Sequence, residues 1–351
     1  MLHKVSEKLA YLLKTKYFQS VLTLAIFSSL AYFSYLSWDY ISDGWDILIT
    51  ARKKPIILAV ISATLALVAQ SELMTILTRA AGVDTKRRNA YLTGAAANAW
   101  SSSLPGGNAI SVVIVFREQK KWGASSSISS WYLLLSGVIS TASISLLAIF
   151  SVLFLGMQTD NYRLTITLLV SAVAVTFFGL SAKKIPLKNI ISHPKVEKSL
   201  KPLHMDASHL VSKLSNYLLQ ITQVKVKKRV LFYALFLSIL NWVLEISCLF
   251  FCAIAVSNSF NSGIVIAFIA SKIAGQVQVT PGGLGTVDIV LTSALISFGN
   301  FLTSEAIAIS VLFRLITLFF LAALGWACFF YMKFSAKASP ETQQANSMFY
   351  N

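Results

Sequence analysis

The chain has 351 residues, of which 56% are hydrophobic and only 13% charged, and it carries a net charge of +16. An ordinary soluble domain has about 25% charged residues, so this composition excludes a soluble enzyme and predicts an all-α polytopic membrane protein. Apolar stretches of about 20 residues, enough to cross a bilayer, take up most of the length and leave little room for a soluble catalytic domain.

Lys4, Lys8, Lys14 and Lys16 precede the first apolar span, 17–37, which ends in Trp38-Asp39-Tyr40 without a small-residue cleavage site and is expected to be a retained signal anchor. A second span covers about 55–77 and is followed by Arg79 and the basic run Lys86-Arg87-Arg88. The next apolar stretch, 89–116, is interrupted by Leu104-Pro105-Gly106-Gly107 and ends in Arg117-Glu118-Gln119-Lys120-Lys121. Proline removes a backbone donor and glycine adds conformational freedom, so a helix breaks at such a triplet. The two arms, about 89–104 and 108–116, are each too short for a core about 30 Å thick. Both outer ends are basic, which predicts a re-entrant hairpin entering and leaving on one face.

Spans at about 127–155 and 164–182 complete an N-terminal half, 1–182. Residues 183–229 then hold 11 Lys/Arg against Glu197 and Asp206, with Pro186, Pro194 and Pro202. Within this connector, Leu210, Val211, Leu214, Leu218 and Ile221 lie at helical spacing, as in an amphipathic helix on a membrane surface. The C-terminal half, 230–333, opens with a span at about 230–256. A second interrupted stretch, 263–298, contains Thr280-Pro281-Gly282-Gly283-Leu284-Gly285 between arms of roughly 18 and 14 residues. A last span at about 303–332 precedes the polar tail, 334–351.

Of the 30 Lys/Arg, 24 fall on one side of this layout, which places both termini in the cytoplasm of a cell whose inner membrane the chain spans. Arg52-Lys53-Lys54 is the one local exception. With that topology the two hairpins enter from opposite faces, and Pro281 follows Pro105 by 176 residues, half the chain. Paired Gly/Pro breaks in matching positions of an inverted repeat point to a transporter's central site.

The residues after each triplet carry a resemblance. Pro105-Gly106-Gly107 with Phe116-Arg117 and Lys121-Trp122-Gly123-Ala124-Ser125, then Thr280 to Gly285 with Asp288, Glu305-Ala306 and Phe313-Arg314-Leu315, is similar to the lysylphosphatidylglycerol synthase transmembrane-region family. In members resembling multiple peptide resistance factor, this region moves aminoacylated phosphatidylglycerol and a separate domain makes it. The resemblance implies movement of a lipid by a flippase, with no synthase domain after Asn351. Asn108, Ala109 and Ile110 are neutral where many family members carry charge.

An anionic headgroup at membrane depth needs a polar pocket and positive charge. Lys272 and Arg314 lie inside apolar stretches, where ionisable residues face a cavity or a partner. Free N-H groups of the half-helices after the triplets add to them, making Asn108 and Gly285 candidates beside Pro105, Gly106, Gly107, Pro281, Gly282 and Gly283. Glu245 and Asp288 are the acidic candidates. The plain alternatives are an Arg314 ion pair with Asp288 or Glu245, a Lys272 that snorkels to the surface, and a Glu72 that serves only the interface. Asn98, Ser101, Ser102 and Ser103, with Gln276, Gln278 and Thr280, are expected to line a wet cavity.

No catalytic residue, metal or cofactor is expected. The histidines have no metal-site spacing, and Cys248, Cys252 and Cys328 are packing residues. The expected substrate is an anionic or aminoacylated phospholipid or a polyprenyl-phosphate lipid, with membrane lipids as partners and no nucleic acid. A glycosyltransferase is disfavoured by the lack of an Asp-x-Asp pair. The alternative is a non-transporting membrane partner that anchors a lipid- or glycan-modifying enzyme through the basic connector, attracted also to anionic lipid.

Overall fold

In the computed structural model, the described residues are 49–104, 106–155, 224, 226–259, 261–275 and 280–337. The expected spans 17–37 and 164–182, nearly all of the connector and the end of the tail lie outside them. Every regular element among the described residues is helical. They are α1 (Lys53–Ala80), α2 (Arg87–Ser103), α3 (Gly107–Lys121), α4 (Ser126–Leu155), α5 (Lys228–Ser257), α6 (Gly263–Ala274), α7 (Thr286–Gly299), α8 (Thr303–Arg314) and α9 (Leu321–Lys337). A π-helical stretch, Leu315–Phe320, joins α8 to α9 into one rod.

The four expected spans that fall on described residues are α1, α4, α5 and the α8–α9 rod, each long and apolar enough to cross a membrane. The stretch Pro281–Gly299 also qualifies by length and composition. Its regular helix, α7, has 14 residues, about 21 Å at 1.5 Å per residue against a core of about 30 Å. It is therefore a hairpin arm. Helix α1 shows why these rods suit lipid: Ile57, Leu58, Ile61, Leu65 and Val68 form an exposed stripe, and Ala59, Ala63, Ala66 and Leu67 turn inward.

Helices α1 and α5 run against each other and form the centre. Their antiparallel pairing is tied at one end. The Arg52 N-H donates to the Ala255 carbonyl at 3.3 Å, and its guanidinium donates to the Asn258 side chain. Arg52 thus sits at the C-terminal end of α5, where free carbonyls and the helix dipole attract a cation. This gives a partner to Arg52, one of the three basic residues that run against the Lys/Arg count.

The two hairpins enter from opposite ends. The mouth of the α6–α7 hairpin lies with Arg52 and Asn258: the Asn261 side chain donates to the Gly299 carbonyl, and Gly263 lies against the backbone of Phe298 and Gly299. The mouth of the α2–α3 hairpin lies at the other end, where Arg87 pairs with Glu72 near the C-terminus of α1 and Arg88 reaches Tyr331 near the end of α9. Apolar packing follows the same division. One buried cluster joins Ala59 and Ala63 of α1 to Cys248, Leu249 and Cys252 of α5, Phe268 of α6 and Leu291 of α7. The other joins Leu73, Met74 and Leu77 of α1 to Ala234 and Leu237 of α5 and Trp131 of α4. A layer of polar side chains lies between them.

The helix in the first arm of the second hairpin covers 12 of its roughly 18 residues and ends at Ala274, and residues 276–279 before the triplet lie outside the described ones. Gly275 ends the helix, its N-H returning to the Ser271 carbonyl at 2.9 Å. Thr280 is already extended (φ −103, ψ 158), as a residue before proline must be.

Candidate functional site

The middle glycines of the two triplets share one backbone conformation. Gly106 has φ 63 and ψ 18, and Gly282 has φ 56 and ψ 14. Each middle glycine sits in the left-handed region, which costs an L-residue with a side chain about 1–2 kcal/mol. After the first break, α3 starts at once at Gly107. After the second, Pro281–Gly283 forms a short 3-10 turn and α7 begins only at Thr286. The two breaks meet inside the bundle: a Cβ on Gly282 would stand 3.1 Å from the Ser102 carbonyl of α2 and 2.3 Å from Leu318 in the π segment.

Arg314 is the last residue of α8 before the π segment, and it is 7% exposed. Its Nε donates to Asp288 Oδ1 at 2.5 Å, Nη1 to the Gly282 carbonyl at 3.0 Å and Nη2 to the Gly283 carbonyl at 3.4 Å. Asp288 is held in turn by the Gly285 N-H, 2.8 Å from Oδ2, which also satisfies one of the free donors at the start of α7. Arg314 thereby clamps the broken turn to the last rod. A guanidinium carries five N-H donors, so three are spent on this clamp and two remain.

A second pair stands across the layer. Lys272, in the last turn of α6, pairs with Glu245 Oε2 of α5 and lies over the rings of Trp242 and Phe268, 5.4 and 5.1 Å from their centroids. Its side chain is 29% exposed and that of Glu245 22%, against 9% for both members of the Arg314–Asp288 pair. The Asn241 amide donates weakly to Glu245 Oε1 at 3.5 Å. Lys272 therefore turns toward the layer and a carboxylate, and the Arg314 pairing with Asp288 is the one expected as its plain alternative.

Two adjoining cavities open here. One, of about 190 Å³, is lined by Gln70, Asn98, Ser101, Ser102, Asn241, Glu245, Lys272, Gly282 and Arg314, among others. The second, of about 210 Å³, shares Lys272, Gly282, Arg314 and Thr317 and adds Asn108. Asn98 Oδ1 is buried with no hydrogen-bond partner, and buried polar atoms without partners are rare enough to ask for one.

Of the residues singled out in the sequence, Lys272, Glu245, Arg314, Gly282 and Asn108 line these cavities. Asp288 and Gly283 hold Arg314, while Pro281 and Gly285 shape its turn. Gly106 and Gly107 shape the first break without lining either cavity, Asn108 meets the Ser101 hydroxyl across it, and Pro105 lies outside the described residues. Gln276 and Gln278 are likewise outside them. Glu72 takes its plain role, accepting from Arg87 at 2.9 Å and Tyr91 at 2.7 Å, and ties α1 to α2. Asn241, Gln70 and Thr317 were missed; a lone amide inside an apolar span was the available signal for the first two.

The sequence model of the family described as "Lysylphosphatidylglycerol synthase TM region" matches residues 20–325. No curated protein matches the chain.

Proposed function

The chain belongs to the lysylphosphatidylglycerol synthase TM region family, and from that premise we propose that it is a lipid flippase of the cytoplasmic membrane with both termini inside. It carries the headgroup of an anionic or aminoacylated phospholipid, or of a polyprenyl-phosphate lipid, through the layer where the two hairpins meet. It acts as a carrier and makes no covalent change in the lipid.

One observation carries this reading: two cations and two carboxylates line or support paired cavities between hairpins that enter from opposite ends. Charges at such depth are costly to keep and mark a substrate path. Arg314 is fixed by Asp288 and two carbonyls, and it offers its two remaining donors as a stationary phosphate contact. The Lys272–Glu245 pair is more exposed and is the part that yields. A phosphate engages Lys272 in place of Glu245, and the released carboxylate meets the ammonium of an aminoacyl group or takes a proton. Cavities of this size hold a headgroup and leave the acyl chains in lipid, while the two halves rock about the shared layer.

The test is reconstitution in liposomes. The protein is expected to speed bilayer crossing of labelled phosphatidylglycerol, its aminoacyl ester or a polyprenyl phosphate. If none of the three crosses faster than in protein-free liposomes, the reading fails.

A further inference from the structure

Away from the midplane layer, a third cavity of about 590 Å³ opens between the mouth of the first hairpin and the end of α9. It shares no lining residue with the other two. Arg88, Lys121 and Lys333 line it, with Glu118 as its one carboxylate. Glu118 pairs with Lys121 at 2.6 Å. The Arg88 guanidinium lies over the Tyr331 ring, 5.2 Å from its centroid, and donates to its hydroxyl. That leaves two cations in the cleft with no carboxylate of their own among its lining residues. Thr93 also lines it, fully buried, with a hydroxyl that has no hydrogen-bond partner.

We propose that this cleft binds the phosphate headgroup of an anionic phospholipid from the adjacent leaflet. Its polar groups match a phosphodiester: cations at the rim and a hydroxyl waiting for an acceptor. Its other walls favour a lipid over a soluble phosphate, since Leu92, Trp122, Phe329 and Met332 supply apolar surface beside the charges. On the same end of α9, Phe330, Tyr331 and Phe334 are exposed. Such a belt of aromatic residues beside basic ones suits the headgroup level of a bilayer. A headgroup held here lies beside α2, the helix that runs on to Asn98 and Ser102 at the midplane, and this position suits recruitment of lipid before transport.

The experiment uses the full-length protein in phosphatidylcholine vesicles doped with a phosphatidylglycerol that carries a photoreactive group at its headgroup, with adducts mapped to peptides. Label is expected on the segments around Arg88 and Trp122. Arg88→Gln with Lys333→Gln should reduce it about thirtyfold, in line with the pull of two cations near a bilayer surface. Thr93→Val, which keeps the shape and removes only the hydroxyl, should reduce it a few-fold, while Arg88→Lys should retain it. The proposal is overturned if the double variant labels like the parent, if photoreactive phosphatidylcholine labels the same segments equally, or if soluble glycerol phosphate competes as well as the lipid. Bilayer crossing is not read in this experiment, so its outcome is separate from that of the flippase reading.

Discussion

The two hairpins share a break and differ in charge. Gly106 and Gly282 adopt nearly the same backbone conformation, and each stands between two short arms. The four charged site residues of the second half have apolar counterparts 176 residues earlier: Val112 for Asp288, Val138 for Arg314, Ala96 for Lys272 and Ala69 for Glu245. Asp288 is 7% exposed and Val112 46%. The two hairpins thus share a backbone plan at their middle glycines, while the ionisable groups that line the cavities between them come from the second half. The first half contributes neutral polar lining, Asn98, Ser101 and Ser102. The geometry of a broken helix and the chemistry of a charged site are separable, and this chain separates them.

That contrast can be broken most sharply at Arg314. Removing either member of its pair alone leaves an uncompensated buried charge, which costs about 3–5 kcal/mol. Arg314→Gln and Asp288→Asn should each lower the melting temperature steeply, and the double variant should recover much of the loss without recovering lipid movement. Next comes Gly282→Ala. It meets both the left-handed strain, about 1–2 kcal/mol, and the Leu318 methyl at 2.3 Å, with overpacking adding about 1–3 kcal/mol. Denaturant or thermal unfolding should register the sum. Gly106→Ala has the same φ penalty but open space, with nothing within 4 Å, so its cost should stay near about 1–2 kcal/mol. Equal costs for the two alanines would show that the breaks are packed alike. The smallest effect is expected at Asn98→Ala, whose Oδ1 has no protein partner to strand. Stability should change by less than about 1 kcal/mol while lipid movement slows a few-fold; a loss as large as that of Arg314→Gln would put the first half on the same footing as the second.

Much of this plan was legible in the residues. The triplets, the apolar lengths and the distribution of Lys/Arg gave the hairpins and their opposed entry, because breaking a helix and burying a charge have large local costs that sequence must respect. Lys272, Arg314 and Asp288 stood out for the same reason. What was not legible depends on packing between distant segments. Nothing local distinguishes Asp288 from Glu245 as the partner of Arg314; the choice follows from how the turn at Gly282 seats on α8. The π-helical stretch Leu315–Phe320 reads as ordinary apolar helix, and no residue in it announces the wider turn. The cleft at Arg88, Thr93 and Lys333 joins three helices from different parts of the chain, so its residues are scattered single charges until the fold gathers them.

The central claim is that the charge of the second half carries the headgroup, and the Lys272–Glu245 pair tests it with least disturbance to the fold because both side chains are partly exposed. The measurement is the rate of bilayer crossing of a labelled lipid that the parent protein moves, made with Lys272→Gln/Glu245→Gln, a double variant that keeps the net charge. With a charge-assisted contact to phosphate lost, the account predicts crossing at least about tenfold slower at an unchanged melting temperature. Crossing at the parent rate would contradict it.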